Sequence, residues 1–188
     1  MPRYQRLLAV IVFLGVLALA FQLSGLREHF NLAFLHQKLL DNKLSGLLIF
    51  VLLFALGNLI QIPGSVFLAA AVLALGEAWG GVVTYVAAIA SCVFTFWVIR
   101  LLGGDALRQL RGRVARRIFV QLDAHPVRSI ALLRMLLQTV PALNYVLAMS
   151  GVRFRDYLVG TLLGLPLPIL LYCVFFDYLA KALHLARF

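Results

Sequence analysis

The sequence predicts an all-α integral membrane protein. Its plan is an inverted repeat of a re-entrant helical hairpin plus a spanning helix, with an N-terminal transmembrane helix and interfacial amphipathic helices. Three observations carry this. The chain is 63% hydrophobic with a mean hydropathy of +0.99, whereas a soluble domain is about half apolar. Its apolar blocks are broken by proline, glycine and side-chain amides. Its arginines concentrate in three segments whose sidedness restricts how often the chain can cross.

Residues 1–26 form the N-terminal transmembrane helix: Arg3 and Arg6 precede the apolar run Leu7 to Phe21, placing the N-terminus inside. Ala18-Leu19-Ala20 offers a signal-peptidase site, so residues 1–20 are either retained as a span or cleaved. In both cases Ser24 starts outside. Residues 27–45 are mixed in charge. Phe30, Phe34, Leu35 and Leu39 at helical spacings read as a short external interfacial helix, with an irregular loop as the alternative.

Residues 46–180 make up the membrane domain. Its first hairpin, 46–79, consists of two 12-residue runs, Gly46 to Gly57 and Ser65 to Gly76, around "GNLIQIPG". Each run reaches about 18 Å, roughly half a bilayer core plus its interface. Pro63 breaks the helix and Gly64 permits the turn. A span over 80–99 follows and ends at Arg100.

Residues 100–128 carry seven Arg against Asp105 and Asp123. With Asp105 as N-cap, Leu107, Leu110, Val114, Ile118 and Leu122 fall on one face. This predicts a basic amphipathic helix, 105–122, on the cytoplasmic leaflet, ended by His125-Pro126. The second hairpin, 129–151, contains "RMLLQTVPALNYVLAMSG" and bends near Pro141. After Arg153 and Arg155, residues 157–179 form a 23-residue apolar span kinked by Pro166 and Pro168. A basic tail, 181–188, closes the chain.

Charge sets the topology. If residues 3–6, 100–128 and 153–155 all face the cytoplasm, an even number of crossings separates each pair. Only the second hairpin lies between Arg128 and Arg153, so it must enter and leave on one side. The first span uses one crossing, so the block up to Arg100 must supply an odd number. One hairpin plus one span does so; two spans do not. Inverted repeats with broken helices at mid-membrane are characteristic of transporters.

A formal charge of +10 is the usual signature of cytoplasmic loops facing anionic lipid, and nucleic-acid binding is not expected. Cys92 and Cys173 lie in apolar runs and read as small buried hydrophobes. With no Cys/His cluster at ligand spacing, neither a metal nor another cofactor is expected. An intramembrane enzyme is not expected either: Ser91, Thr95 and Ser150 have no His or carboxylate at an obvious helical spacing.

"IPGSVFLAAAVLALGEAWGG" and "RMLLQTVPALNYVLAMSGVRFRDYLVGTLLGLPLP" together resemble the VTT domain of the DedA-like superfamily, the SNARE-associated Golgi proteins, and in particular its vesicle-protein-like bacterial branch. The resemblance rests on Pro63, Arg134, Pro141, Asn144-Tyr145, Gly151, Gly160-Thr161, Gly164 and Pro168, over about residues 44–180. Pro168 falls one place beyond the family pattern and Pro166 one place before it. The resemblance implies two opposed re-entrant hairpins in a multi-pass protein of the bacterial inner membrane. It also implies movement of phospholipid or polyprenyl phosphate between leaflets. Proton-coupled members carry acids near the first hairpin proline and in the following span. Here Gln61 and Ser91 occupy those regions, which puts coupling through such acids in doubt.

A headgroup crossing hydrocarbon needs a polar route. Arg134, Gln138 and Asn144 from one hairpin, with Asn58 and Gln61 from the other, could supply it, bent into place by Pro63, Gly64, Pro141 and Gly151. The alternative is structural: Arg134 snorkels to the interface and the amides cap the bends or bond one another. A proton- or ion-coupled small-solute transporter and a membrane-organising protein without cargo are the competing functions. The topology predicts that an impermeant thiol reagent outside the cell labels cysteine placed at Ser45 but not at Gly104 or Arg155. Labelling at Gly104 and Arg155 but not Ser45 would overturn it.

Overall fold

The computed structural model describes residues 3–23, 43–109, 113–137 and 140–182, and these are helical with no strand. The helices are α1 (Arg3–Leu23), α2 (Lys43–Leu59), α3 (Gly64–Gly103), α4 (Arg113–Ala124), α5 (Pro126–Leu136), α6 (Ala142–Met149), α7 (Phe154–Gly164) and α8 (Pro166–Ala182). A 3-10 turn, Ala106–Gln109, separates α3 from α4. The expected interfacial segment up to residue 42, Gln138 and the tail beyond residue 182 lie outside the described residues.

The amide-and-proline break between Gly57 and Gly64 falls where the sequence places it. α2 closes in a Schellman motif: Ile62 N–H bonds Gly57 O at 2.8 Å and Gln61 N–H bonds Asn58 O at 3.3 Å. Gln61 holds the left-handed position with φ 69°, a place that glycine fills at less cost. Phe54 and Phe67 pack 4.8 Å apart across the hairpin.

α3 is two limbs, 64–75 and 77–103, because Gly76 is non-helical at φ 80°. The reversal is tight: a Cβ on Gly80 would come within 2.7 Å of Val72 backbone. The second limb therefore runs in the direction of α2, with the first limb returning between them.

The second half repeats this order of parts. α5 and α6, of 11 and 8 residues, reach about 17 and 12 Å, each well short of a roughly 30 Å bilayer core. Gly151, at φ 81°, turns the chain into α7. α5 and α7 run parallel, since Gly160 faces Val127 and Ile130 while Gly164 faces Ala131 and Arg134. The pair Gly160 and Gly164 is a G-x-x-x-G surface that lets two helices approach closely. α7 in turn runs antiparallel to the second limb of α3: Tyr85 reaches Leu162, Tyr157 reaches Cys92, and Arg100 reaches Val152. The break between α7 and α8 falls at Leu165-Pro166, the proline kink expected from sequence.

Among the described residues, two stretches are long and apolar enough to cross a membrane, Gly64–Gly103 and Phe154–Leu179. Two cores hold the molecule together. One joins Val10 of α1 to Phe96, Ile99, Ile130, Leu147 and Tyr157. The other packs the first hairpin against α8 through Phe50, Phe54, Phe67, Leu165 and Ile169.

One expectation is corrected. The basic region is not a single helix over 105–122 but the 3-10 turn followed by α4. Arg108 in the turn instead pairs with Asp123 of α4 at 2.5 Å. Leu122 keeps its expected inward place and is buried.

A Cβ on Gly160 would lie 2.7 Å from Ile130 Cβ. Gly160→Leu is therefore expected to destabilise the protein by about 1–3 kcal/mol, as overpacking does. Gly15→Ala, where nothing lies within 4 Å, should be neutral or stabilising by up to about 1 kcal/mol. Thermal unfolding in detergent compares the two.

Candidate functional site

The backbone explains why polar side chains gather at the hairpin tips. In a helix the carbonyl of residue i accepts from the N–H of residue i+4. Pro63 has no N–H, so Leu59 O loses its donor; the Tyr145 hydroxyl of the opposite hairpin supplies one. Pro166 does the same to Leu162 O, which accepts from Tyr85 Oη at 3.0 Å. At the end of α6, Arg100 donates to Ala148 O at 2.6 Å and to Val152 O at 3.2 Å. Each broken end is thus completed by a side chain from the other half of the molecule.

Between these caps lies a buried polar network. Arg134 Nη2 donates to Tyr157 Oη at 2.8 Å. Tyr157 Oη lies 3.2 Å from Asn144 Oδ1 and 3.1 Å from Cys92 O, and its single proton serves one of them at a time. Asn144 Nδ2 donates to Asn58 Oδ1 at 3.1 Å. Asn58 Nδ2 donates to Ser91 Oγ at 2.8 Å, and Ser91 Oγ to Phe54 O at 3.5 Å. The Cys92 thiol donates to Asn144 Oδ1 at 3.5 Å. The chain runs from α5 through α7, α6 and α2 to α3, and therefore joins both hairpins.

Arg134 is 4% exposed, which rules out the snorkelling alternative. Its guanidinium lies 5.3 Å from the Tyr157 ring centroid in a cation–π contact. Among the described residues it has no carboxylate partner. Its Nε–H is buried without a hydrogen-bond partner. A buried cation that keeps an unpaired donor is costly, since that group has lost its water without gaining a partner.

The structure therefore brings Arg134, Asn144 and Asn58 together. Gln61, exposed at the first tip, meets the Tyr145 side chain rather than Arg134 or the asparagines, and Gln138 is outside the described residues. Pro63, Gly64 and Pro141 lie at the two bends, and Gly151 at the turn into α7. Tyr145, which with Asn144 carries part of the family resemblance, is buried. Tyr157, Ser91 and Cys92 are the members that sequence reasoning did not assign to the site. Tyr157 begins an apolar run and reads as part of a span. The missing signal was the bookkeeping of donors, which asks what a buried hydroxyl at that depth must serve.

Tyr145→Phe should cost about 1–3 kcal/mol, the usual penalty for a buried acceptor left unpaired. Tyr178→Phe, at an exposed position, should stay within about 0.5 kcal/mol. Unfolding in mixed micelles reads both.

The VTT domain family model matches residues 62–178. No curated protein and no solved structure gives a significant match.

Proposed function

The chain belongs to the VTT domain family of membrane proteins, and from that premise we propose that it moves phospholipid or a polyprenyl-phosphate carrier between leaflets. In this reading the two hairpins are re-entrant. The first enters from outside and the second from the cytoplasm, in an inverted repeat. What supports it is the repeated order of parts: a short arm, a returning arm, a positive-φ glycine (Gly76 or Gly151) and a long helix, with the two long helices antiparallel. Non-helical backbone at bilayer depth is tolerated only when buried in protein or lining a wet cavity. Completion of the broken ends by Tyr145, Tyr85 and Arg100 fits that requirement.

The observation that carries the function is Arg134: buried, without a carboxylate among the described residues, and holding an unpaired Nε–H. A phosphate oxygen satisfies that donor and the charge together. The Asn58–Asn144 bond then closes the path between the tips, and a crossing headgroup would exchange its own oxygens for those amide contacts. Because several hydrogen bonds in membrane interiors are worth only about 0.6 kcal/mol each, such an exchange is within reach of thermal motion. No catalytic step enters this reading. Its partners are membrane lipids, with anionic lipid gathered by the arginines of α4, and no nucleic acid.

The test is reconstitution into liposomes with a fluorescent phospholipid or polyprenyl phosphate, dithionite bleaching the outer leaflet. The protein should expose inner-leaflet probe faster than empty liposomes do. Arg134→Gln should slow this at least about tenfold, the effect of about 1.4 kcal/mol, while eluting as the folded protein. Bleaching no faster than in empty liposomes, for both probes, would overturn the proposal.

A further inference from the structure

A second feature lies away from the polar network. Between the second limb of α3 and α8 is a cavity of about 690 Å³, lined by Glu77, Ala78, Gly81, Val82, Tyr85, Pro166, Ile169, Leu170 and Cys173. That volume lies within the range of about 300–1,000 Å³ usual for small-molecule sites. Its walls are apolar except at one end, where the exposed Glu77 carboxylate sits.

The groove exists for local reasons. Ala78 and Gly81 leave the α3 wall shallow, and Gly81 faces Cys173 Sγ, 3.1 Å from where its Cβ would be. Pro166 offsets α8 from α7 at the other end. There the Tyr85 hydroxyl is already committed to Leu162 O, so the inner end offers no free polar group from that side chain.

Its depth matches one leaflet. From Glu77 to Tyr85 the helix rises about 12 Å, somewhat less than half of a roughly 30 Å bilayer core. Trp79 and Tyr178 are exposed, at 69% and 72%. Given the contact of Gly81 with Cys173 on antiparallel helices, they lie within about 5 Å of one level. Exposed aromatics of this kind mark the membrane–water interface. Glu77 then stands at headgroup level, with the apolar groove running beneath it into hydrocarbon. The topology above puts this end outside.

We propose that this groove holds one acyl chain of an outer-leaflet phospholipid whose headgroup ends in a primary amine, with the ammonium paired to the Glu77 carboxylate. The apolar walls recognise the chain and the carboxylate selects the amine against a lipid of equal chain length with a quaternary head. A trimethylated nitrogen keeps its charge but cannot donate the hydrogen bonds that an ammonium gives to a carboxylate. The site rests on the membrane topology proposed above, but not on lipid movement.

The test is native mass spectrometry of the full-length protein released from nanodiscs containing equal phosphatidylethanolamine and phosphatidylcholine with matched chains. The wild type should retain the ethanolamine lipid several-fold over the choline lipid. Glu77→Gln should bring that ratio close to one while still retaining lipid. Ala78→Phe, which fills the groove from its exposed wall, should reduce retention of both. No preference in the wild type, or a preference unchanged in Glu77→Gln, would overturn the proposal. Dithionite assays on the same variants separate the two ideas. In the wild type, no lipid preference with intact lipid movement contradicts the groove alone, and a preference without lipid movement contradicts transport alone.

Discussion

The architecture depends on one constraint: a carbonyl without a donor cannot be left in hydrocarbon. Pro63 and Pro166 each strip a helix of one N–H, at Leu59 O and Leu162 O. The end of α6 exposes Ala148 O. All three are answered by side chains distant in sequence, Tyr145, Tyr85 and Arg100. These contacts couple the halves of the chain more specifically than apolar packing can, because an apolar face has little reason to prefer one partner over another when lipid is equally apolar. The breaks that make the hairpins also create the demand that holds the hairpins together.

Glycine completes the plan. Gly76 and Gly151 adopt positive φ at corresponding places, after each returning arm. Gly160 and Gly164 bring α5 against α7 so closely that Arg134 starts at the α7 surface. From there its guanidinium reaches Tyr157 without leaving the interior. The cation is buried because the helix that carries it is pressed onto a glycine surface, and the network around it is the consequence.

Much of this was legible in the sequence. Proline, glycine and amide clusters are local punctuation, so the breaks near Pro63, Pro141 and Pro166 could be read directly. Charge sidedness led to the expectation that each hairpin enters and leaves on one side. The pairing of Asn58 with Asn144 was foreseen only as one of two alternatives, because nothing local fixes which buried amide meets which. Tyr157 and Ser91 were missed because a hydroxyl inside an apolar run resembles ordinary span filler until its partners are known. The basic region was read as one helix because its apolar residues keep a helical spacing from Leu107 to Leu122. That spacing does not distinguish a 3-10 turn at Ala106–Gln109 from the first turn of an α-helix. Tyr145 shows what an accounting of donors adds: the carbonyls four residues before Pro63 and Pro166 take their donors from distant side chains.

The central claim is that both hairpin bends end near the middle of the bilayer, from opposite sides. Spin labels at Ile62 and Val140, on the two bends, can be placed in depth by their relative exposure to oxygen and to a water-soluble relaxation agent. Both labels should report the hydrocarbon interior, at similar distances from the two surfaces. Either label at the aqueous interface would contradict the account.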